Sequence, residues 1–304
     1  MGEHNLTKWN IKLDFPLNWN LKLAFSVLPE RPTPCLIRDG KWLRALRLND
    51  RLIPIKVEIK NGLEKPILTI TSTEISMDEK KEIEKFVINF HGLGDVKEFY
   101  KFVDNDVVLR RIKRNLYGFG RAGLMSATVY EGIIKAIIQQ QISLRIAEMM
   151  TAKLVEDCGN RIWFDNCYAY DFPDAETIAS LDEKKLRSFG LSSRKASYVK
   201  EFSLEVTRGF DPEGLRGRDY EEIIEILTSF RGIGKWSAEL VMVASMGLNV
   251  IPAGDLGVRK AISHFYFDDR LQSPEVIRDF CTNKFNGFLR DCLVYLLMAY
   301  RMHL

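Results

Sequence analysis

The sequence predicts a mostly α protein headed by an N-terminal α+β unit: an antiparallel β-sheet domain, then a two-part helical region with a central cleft. Three observations carry this. The first hundred residues hold short β-branched and aromatic runs parted by Asp-Gly, Asn-Asp and Asn-Gly pairs. From Tyr100 onward the apolar spacing becomes helical. No low-complexity linker or repeat array interrupts that helical stretch, so it should pack compactly.

Taken in order, the strand runs are Thr33–Ile37, Trp42–Leu48, Leu52–Ile59 and Ile67–Thr71, with Asp39-Gly40, Asn49-Asp50 and Asn61-Gly62 between them. Such pairs suit hairpin turns, because both central residues need positive φ. A helix is expected over Met77–Phe90, capped by Ser76 and ended by Gly92. Tyr130, Ile133, Ile134, Ile137 and Ile138 then share one face of a buried helix. Pro173–Ser180, Asp182–Phe189 and Arg194–Arg208 read as successive helices, and Ser273-Pro274-Glu275 as a helix start. The resulting units are 1–99, 126–249, and 100–125 together with 250–304.

Composition narrows function mainly by exclusion. A formal net charge of +3 over 304 residues is weakly consistent with a nucleic-acid partner, since clustering matters more than the total. Five scattered cysteines form no CxxC pair, which argues against structural zinc or an iron–sulfur cluster and for free thiols in a reducing compartment. No long apolar run and no apolar leader is visible, so neither a membrane span nor a secretory signal is expected.

The most informative segment is Tyr220–Met246. Two apolar helical runs flank Phe230-Arg231-Gly232-Ile233-Gly234. Gly232 and Gly234 permit a tight turn and close backbone approach, while Ile233 can plug between the helices. The turn opens directly into a helix N-terminus, where unpaired N–H groups and the dipole favour an anion such as a phosphodiester. A plain αα-hairpin explains the glycines equally well; the basic neighbours Arg231 and Lys235 favour phosphate.

This segment resembles the helix–hairpin–helix (HhH) of the HhH-GPD DNA glycosylase superfamily, named for its hairpin, a Gly/Pro-rich loop and an aspartate. Loop and aspartate appear here as Val250-Ile251-Pro252-Ala253-Gly254-Asp255, followed by Leu256–Lys260. Tyr130–Ser143 and Phe172–Val199 match two further stretches. With the β-rich N-terminal unit, the resemblance is closest to the 3-methyladenine DNA glycosylase II (AlkA) type and covers nearly the whole chain.

The resemblance implies that Asp255 is the catalytic carboxylate. Breaking an N-glycosidic bond builds oxocarbenium-like charge on the sugar, which a nearby carboxylate stabilises while it orients or deprotonates water. Asp255 also opens a helical run, so an N-cap role stands beside the catalytic one. Bifunctional members carry a nucleophilic lysine at the position of Trp236; Lys235 lies one residue earlier, about 100° away around a helix. The expected activity is therefore monofunctional: base flipping and hydrolysis that release alkylated bases (3-methyladenine-like, 7-methylguanine, 1-methyladenine, hypoxanthine) in base excision repair. The alternatives are a bifunctional glycosylase/AP lyase for oxidised purines such as 8-oxoguanine, and a non-catalytic HhH DNA-binding protein.

Further roles follow from the same resemblance. Gln141 is the match for the wedge that fills the gap left by a flipped nucleotide; the plainer alternative is that Gln139–Gln141 merely close a helix. Trp236 is the expected wall of the base pocket, joined by Tyr130 and Phe288, although helical aromatics are commonly core. Arg290 is a candidate base or phosphate contact. Gly232, Ile233, Gly234, Lys235, Arg231 and Lys260 are assigned to DNA phosphate, and the basic run Arg110–Arg114 joins them unless it is only a solvated face. No cofactor is required; the main-chain carbonyls of Phe230 and Ile233 are expected to hold Na+ or K+. The expected partner is double-stranded DNA containing a damaged base, bound by a monomer away from membranes. The expected location is the cytoplasm beside the nucleoid in a prokaryote, or the nucleus in a eukaryote.

Overall fold

A computed structural model describes residues 6–304 of the chain. The N-terminal unit is a five-stranded antiparallel sheet with strand order β1-β5-β4-β3-β2. It comprises β1 (Thr7–Lys12), a short helix α1 (Trp19–Leu23), β2 (Leu36–Arg38), β3 (Lys41–Leu48), β4 (Arg51–Lys60), β5 (Ile67–Ser72) and helix α2 (Met77–His91). The turns Asp39-Gly40 and Asn49-Asp50 have φ of +50°, +69°, +47° and +60°, the left-handed pair that a two-residue hairpin requires. Ser76 and Glu79 form a reciprocal capping box at the start of α2, and Gly92 closes it at φ +61°.

Strand β1 is absent from the expected elements. It pairs with β5 from Thr7↔Ser72 to Lys12↔Ile67, burying Trp9 while Lys8, Asn10 and Lys12 face outward. Its polar alternate positions make the stretch read as a hydrophilic terminus. Strand β2 is also shorter than its run, because Thr33-Pro34 lies in the preceding loop and Pro lacks the ladder donor.

Helices α3 (Lys97–Asp104) and α4 (Val107–Asn115) follow. The next helical unit runs through α5 (Val129–Gln139), α6 (Leu144–Cys158), a hairpin of β6 (Arg161–Phe164) and β7 (Cys167–Tyr170), and then α7 (Ala175–Ser180), α8 (Glu183–Ser188) and α9 (Ser193–Thr207). A 3-10 turn at Glu213–Gly217 leads to α10 (Tyr220–Ser229) and α11 (Lys235–Val241), which continues as a π-helical turn, Met242–Met246. Helices α12 (Leu256–Tyr266), α13 (Pro274–Lys284) and α14 (Leu289–Arg301) complete the chain. The β6–β7 hairpin interrupts what reads as helical sequence; its strands are only four residues long, too short for alternation to register.

Among the described residues three large hydrophobic cores result, beside a small cluster of Leu36, Leu43 and Cys167 between the sheet and β7. One lies between the sheet and α2. The second collects α5, α6 and the helices through α11. The third joins α3 and α4 to α12, α13 and α14, so the chain leaves this core and returns to it. On α5, Gly132 packs against the π-helical turn so closely that a Cβ would lie 1.7 Å from Ser245 Oγ. A buried ion cluster ties the sheet to the second unit: Arg44 on β3 meets Glu131 on α5 at 2.7 Å and Asp171, just after β7, at 3.0 Å.

Candidate active site

Two segments meet where the second and third cores adjoin. The first is the turn between α10 and α11. Ile233 N donates to Phe230 O (3.1 Å) and closes it, and the Ile233 side chain is buried in the second core. Gly232 has φ +87°, and a Cβ there would sit 2.2 Å from the Tyr198 ring. Any side chain thus meets left-handed strain and a collision together. Gly232→Ala is expected to destabilise the protein by about 2 kcal/mol or more, measured by denaturant unfolding. A midpoint equal to the parent's would show that the turn rearranges freely around Tyr198.

Gly234 differs. Its φ is −100°, no side chain caps α11, and nothing lies within 4 Å of a Cβ built there. The turn therefore presents open backbone leading into a helix start, with exposed Lys235 beside it, a shape accessible to an anion. Arg231 is engaged within the protein: it pairs with Glu201 at 2.8 Å and lies 5.3 Å above the Tyr198 ring.

The second segment is the loop that follows the π-helical turn and ends at Asp255. Asp255 is the N-cap of α12; its Oδ1 accepts from Val258 N at 2.9 Å. Its Oδ2 accepts from the indole Nε1 of Trp236 at 3.1 Å. Cap and site contact therefore use different oxygens of one half-buried carboxylate. The loop is held from several sides: Arg278 on α13 donates to Ile251 O (3.3 Å) and pairs with buried Glu239 of α11 (2.8 Å). Each carboxylate oxygen retains lone-pair capacity for a third partner.

Of the aromatic residues singled out by sequence, Trp236 alone contacts Asp255 by hydrogen bond among the described residues. The Tyr130 hydroxyl bonds Ser203 Oγ at 2.7 Å, and its ring stacks on Phe202 at 6.2 Å; burial raises its pKa above the ordinary range. Phe288 packs on Phe99 and Phe102, at 5.5 and 5.1 Å, in the third core. Arg290 holds protein backbone: its Nε donates to Val243 O (3.1 Å), its guanidinium also donates to Gly123 O, and its N–H donates to Asn249 Oδ1 (3.1 Å). Lys260 is exposed, as are Arg110, Arg111 and Arg114 on α4. Lys113, within that basic run, pairs with Asp104.

Gln141 is exposed just beyond α5, in the left-handed region at φ +58°. Sequence reasoning overlooked its neighbour Gln140, whose Nε2 donates to Gly232 O (2.7 Å) and Ser237 Oγ (3.0 Å). The available signal was spacing, since Ile133, Ile137 and Gln140 fall at i, i+4 and i+7 on one helical face.

A cavity of about 160 Å³ opens where the sheet unit meets both helical units. Phe25, Trp42, Phe119, Val243 and Val294 contribute apolar wall, and Lys22 and Arg290 contribute cations. Burial lowers Lys22 to about 7 against the attraction of Asp291, with Arg290 adding to the fall. Trp236, Tyr130 and Phe288 do not line this cavity.

Comparison with known proteins bears on the family and the fold. Residues 134–286 match the HhH-GPD superfamily of base excision DNA repair proteins, and residues 8–92 match an AfAlkA-like, TATA-box binding protein-like domain. A 3-methyladenine DNA-glycosylase structure from Archaeoglobus fulgidus is 41% identical, with 97% of this chain and 99% of that one covered and a TM-score of 0.91. A DNA-3-methyladenine glycosylase of Bacillus subtilis is 25% identical over 83% of this chain and 84% of its own length. A putative DNA-3-methyladenine glycosylase of the same organism is 34% identical over 48% of this chain; the match spans about half, 51%, of that relative.

Proposed function

The chain belongs to the HhH-GPD superfamily of base excision DNA repair proteins, and on that premise we propose that it is a monofunctional DNA glycosylase that hydrolyses alkylated bases from duplex DNA. The observation that carries this reading is the contact between Trp236 Nε1 and Asp255 Oδ2. An indole stands where the lyase members have a nucleophilic lysine, and its N–H is directed to the carboxylate. An indole nitrogen cannot form a Schiff base, whereas it can orient the aspartate.

In the proposed reaction, the phosphate backbone rests on the open Gly232–Gly234 turn and Lys235. Gln141 enters the stack as the damaged nucleotide leaves it, offsetting part of the few kcal/mol that extrusion costs. The glycosidic C1′–N bond breaks and its electron pair goes to the base, which departs as charge builds on the sugar. Asp255, oriented by Trp236 and the first turn of α12, stabilises that charge and receives a proton from the water that bonds to C1′. The product is an abasic site in an unbroken strand. The names of the relatives support alkylated purines as the lesion class, with 3-methyladenine, 7-methylguanine and 1-methyladenine as the members to test and hypoxanthine, a deaminated purine, beside them.

The carbonyls of Phe230 and Ile233 are where a Na+ or K+ ion would sit. Phe230 O already accepts from Ile233 N and keeps a second lone pair for such an ion. The cation would add positive charge beside a bound phosphate. The partner is taken to be lesion-bearing double-stranded DNA bound by a single copy. Among the described residues, no helix is long and apolar enough to cross a membrane.

A panel of single-lesion duplexes tests the assignment, with release of an alkylpurine as the expected result. Release of 8-oxoguanine alone would move the enzyme to the oxidised-purine class. Trp236→Phe keeps an aromatic ring but removes the donor to Asp255. It is expected to lower single-turnover release about tenfold, roughly the worth of one hydrogen bond to a charged group. An unchanged rate would show that the indole N–H does not position the carboxylate.

A further inference from the structure

The segment carrying Gln141 leaves α5 by an irregular route. Gln140 has φ −51° and ψ 128°, and Gln141 follows at φ +58°. A side chain other than glycine is uncommon in that left-handed region, so contacts from outside must hold the loop. Two side chains supply them. Lys195, near the start of α9, donates from Nζ to Ile138 O (2.7 Å) and Gln140 O (2.6 Å). These are carbonyls at the end of α5, which lack partners further along their own helix. Gln140 in turn reaches across to the hairpin, donating to Gly232 O (2.7 Å) and Ser237 Oγ (3.0 Å). Both side chains are half-buried, beside exposed Gln141.

The consequence is geometric. The backbone on which a phosphate would rest and the side chain that would enter the stack are joined through one short chain of hydrogen bonds. Without it, the bend at Gln141 would be held by two long backbone bonds, Gln140 N to Ile137 O and Ile142 N to Gln139 O, both 3.4 Å, and part of the flipping free energy would go to ordering that bend.

We infer that Gln140 and Lys195 are positioning residues that fix Gln141 relative to the hairpin, so that the protein meets duplex DNA with its extruding element already in place. This rests on the assignment of Gln141 and the hairpin in the preceding section. Lys195 contributes through the loop backbone, and Gln140 through the carbonyl of Gly232.

The test compares Gln140→Leu and Lys195→Met with the parent, with Gln141→Ala marking complete loss of the inserted side chain. Duplexes carry either 7-methylguanine, for single-turnover release, or 2-aminopurine, whose fluorescence rises when the base leaves the stack. The same lesions are also placed in a bulge, where no pair has to be opened. Both variants are expected to lower release from the paired duplex about tenfold and to reduce the fluorescence rise at saturating protein, while release from the bulge stays within about twofold of the parent. Lys195→Arg, which keeps donors for the two carbonyls, should recover most of the paired-duplex rate. Equal losses on both substrates, or no loss on either, would overturn the inference, the first by showing a purely structural role. If the parent released no base from any duplex yet the fluorescence pattern held, the glycosylase assignment would fail and the positioning role would stand.

Discussion

Asp255→Asn should lower single-turnover base release from a lesion duplex by about a thousandfold, the scale of removing an electrostatic group from a transition state, with duplex affinity almost unchanged. The substitution separates the two jobs of the residue. Asn is as good an N-cap as Asp, so the bond from Val258 N to the side-chain oxygen can persist and α12 should start where it does now. The amide cannot accept from both Val258 N and Trp236 Nε1 on two oxygens as the carboxylate does, and it carries no charge to oppose that developing on the sugar. A melting temperature near the parent's with release nearly abolished is the expected pair of results. Parental release would reduce Asp255 to a cap.

The largest effect on stability is expected at the buried ion cluster. Arg44 and Glu131 are fully enclosed, and Asp171 is 15% exposed. Burial alone would lower the guanidinium pKa; Glu131, Cys35 and Asp171 outweigh it and hold Arg44 above its usual range. Burial also raises Asp171, against the pull of Arg44. Arg44→Met fills the space but leaves Asp171 without its counter-ion and Glu131 with only Lys135 at 3.9 Å, and should cost about 3–5 kcal/mol. Adding Glu131→Gln removes one of the two weakly compensated charges and should return part of that loss, a coupling read directly from a double-mutant cycle in denaturant. Equal midpoints for parent and Arg44→Met would mean that water reaches the cluster. The cluster also matters for the site, because it docks the sheet unit on α5, whose far end carries Gln140 and Gln141.

Much of the fold was legible because its signals are local. The capping box of α2, the paired positive-φ turns and the Ser273-Pro274 start of α13 each need only neighbours in sequence. Strand β1 escaped because half its residues face solvent on a sheet assembled from segments about sixty residues apart. The β6–β7 hairpin carries a turn pair of the same kind, Asp165-Asn166 at φ +50° and +62°, but it lies in a stretch dominated by helical periodicity.

At the site, what could be read was the order of motifs along the chain; what could not was side-chain direction. Trp236 reads as an aromatic wall, and only the folded seam shows its N–H turned to Asp255, nineteen residues away. Arg290 reads as a free cation near the expected pocket, and the fold commits it to the carbonyls of Val243 and Gly123. Gln140 and Gln141 are the same residue type side by side, yet one faces the hairpin and the other faces solvent because the backbone reverses between them.

The central claim, that Asp255 acts with water and that no side chain forms a covalent bond to the sugar, is tested most directly on an end-labelled duplex carrying one alkylated purine. The strand should remain intact after incubation with the protein and break at the lesion only after hot alkali, and borohydride added during turnover should trap no protein–DNA adduct. Strand scission without alkali, together with a trapped adduct, would contradict it and place an amine in the role assigned here to water.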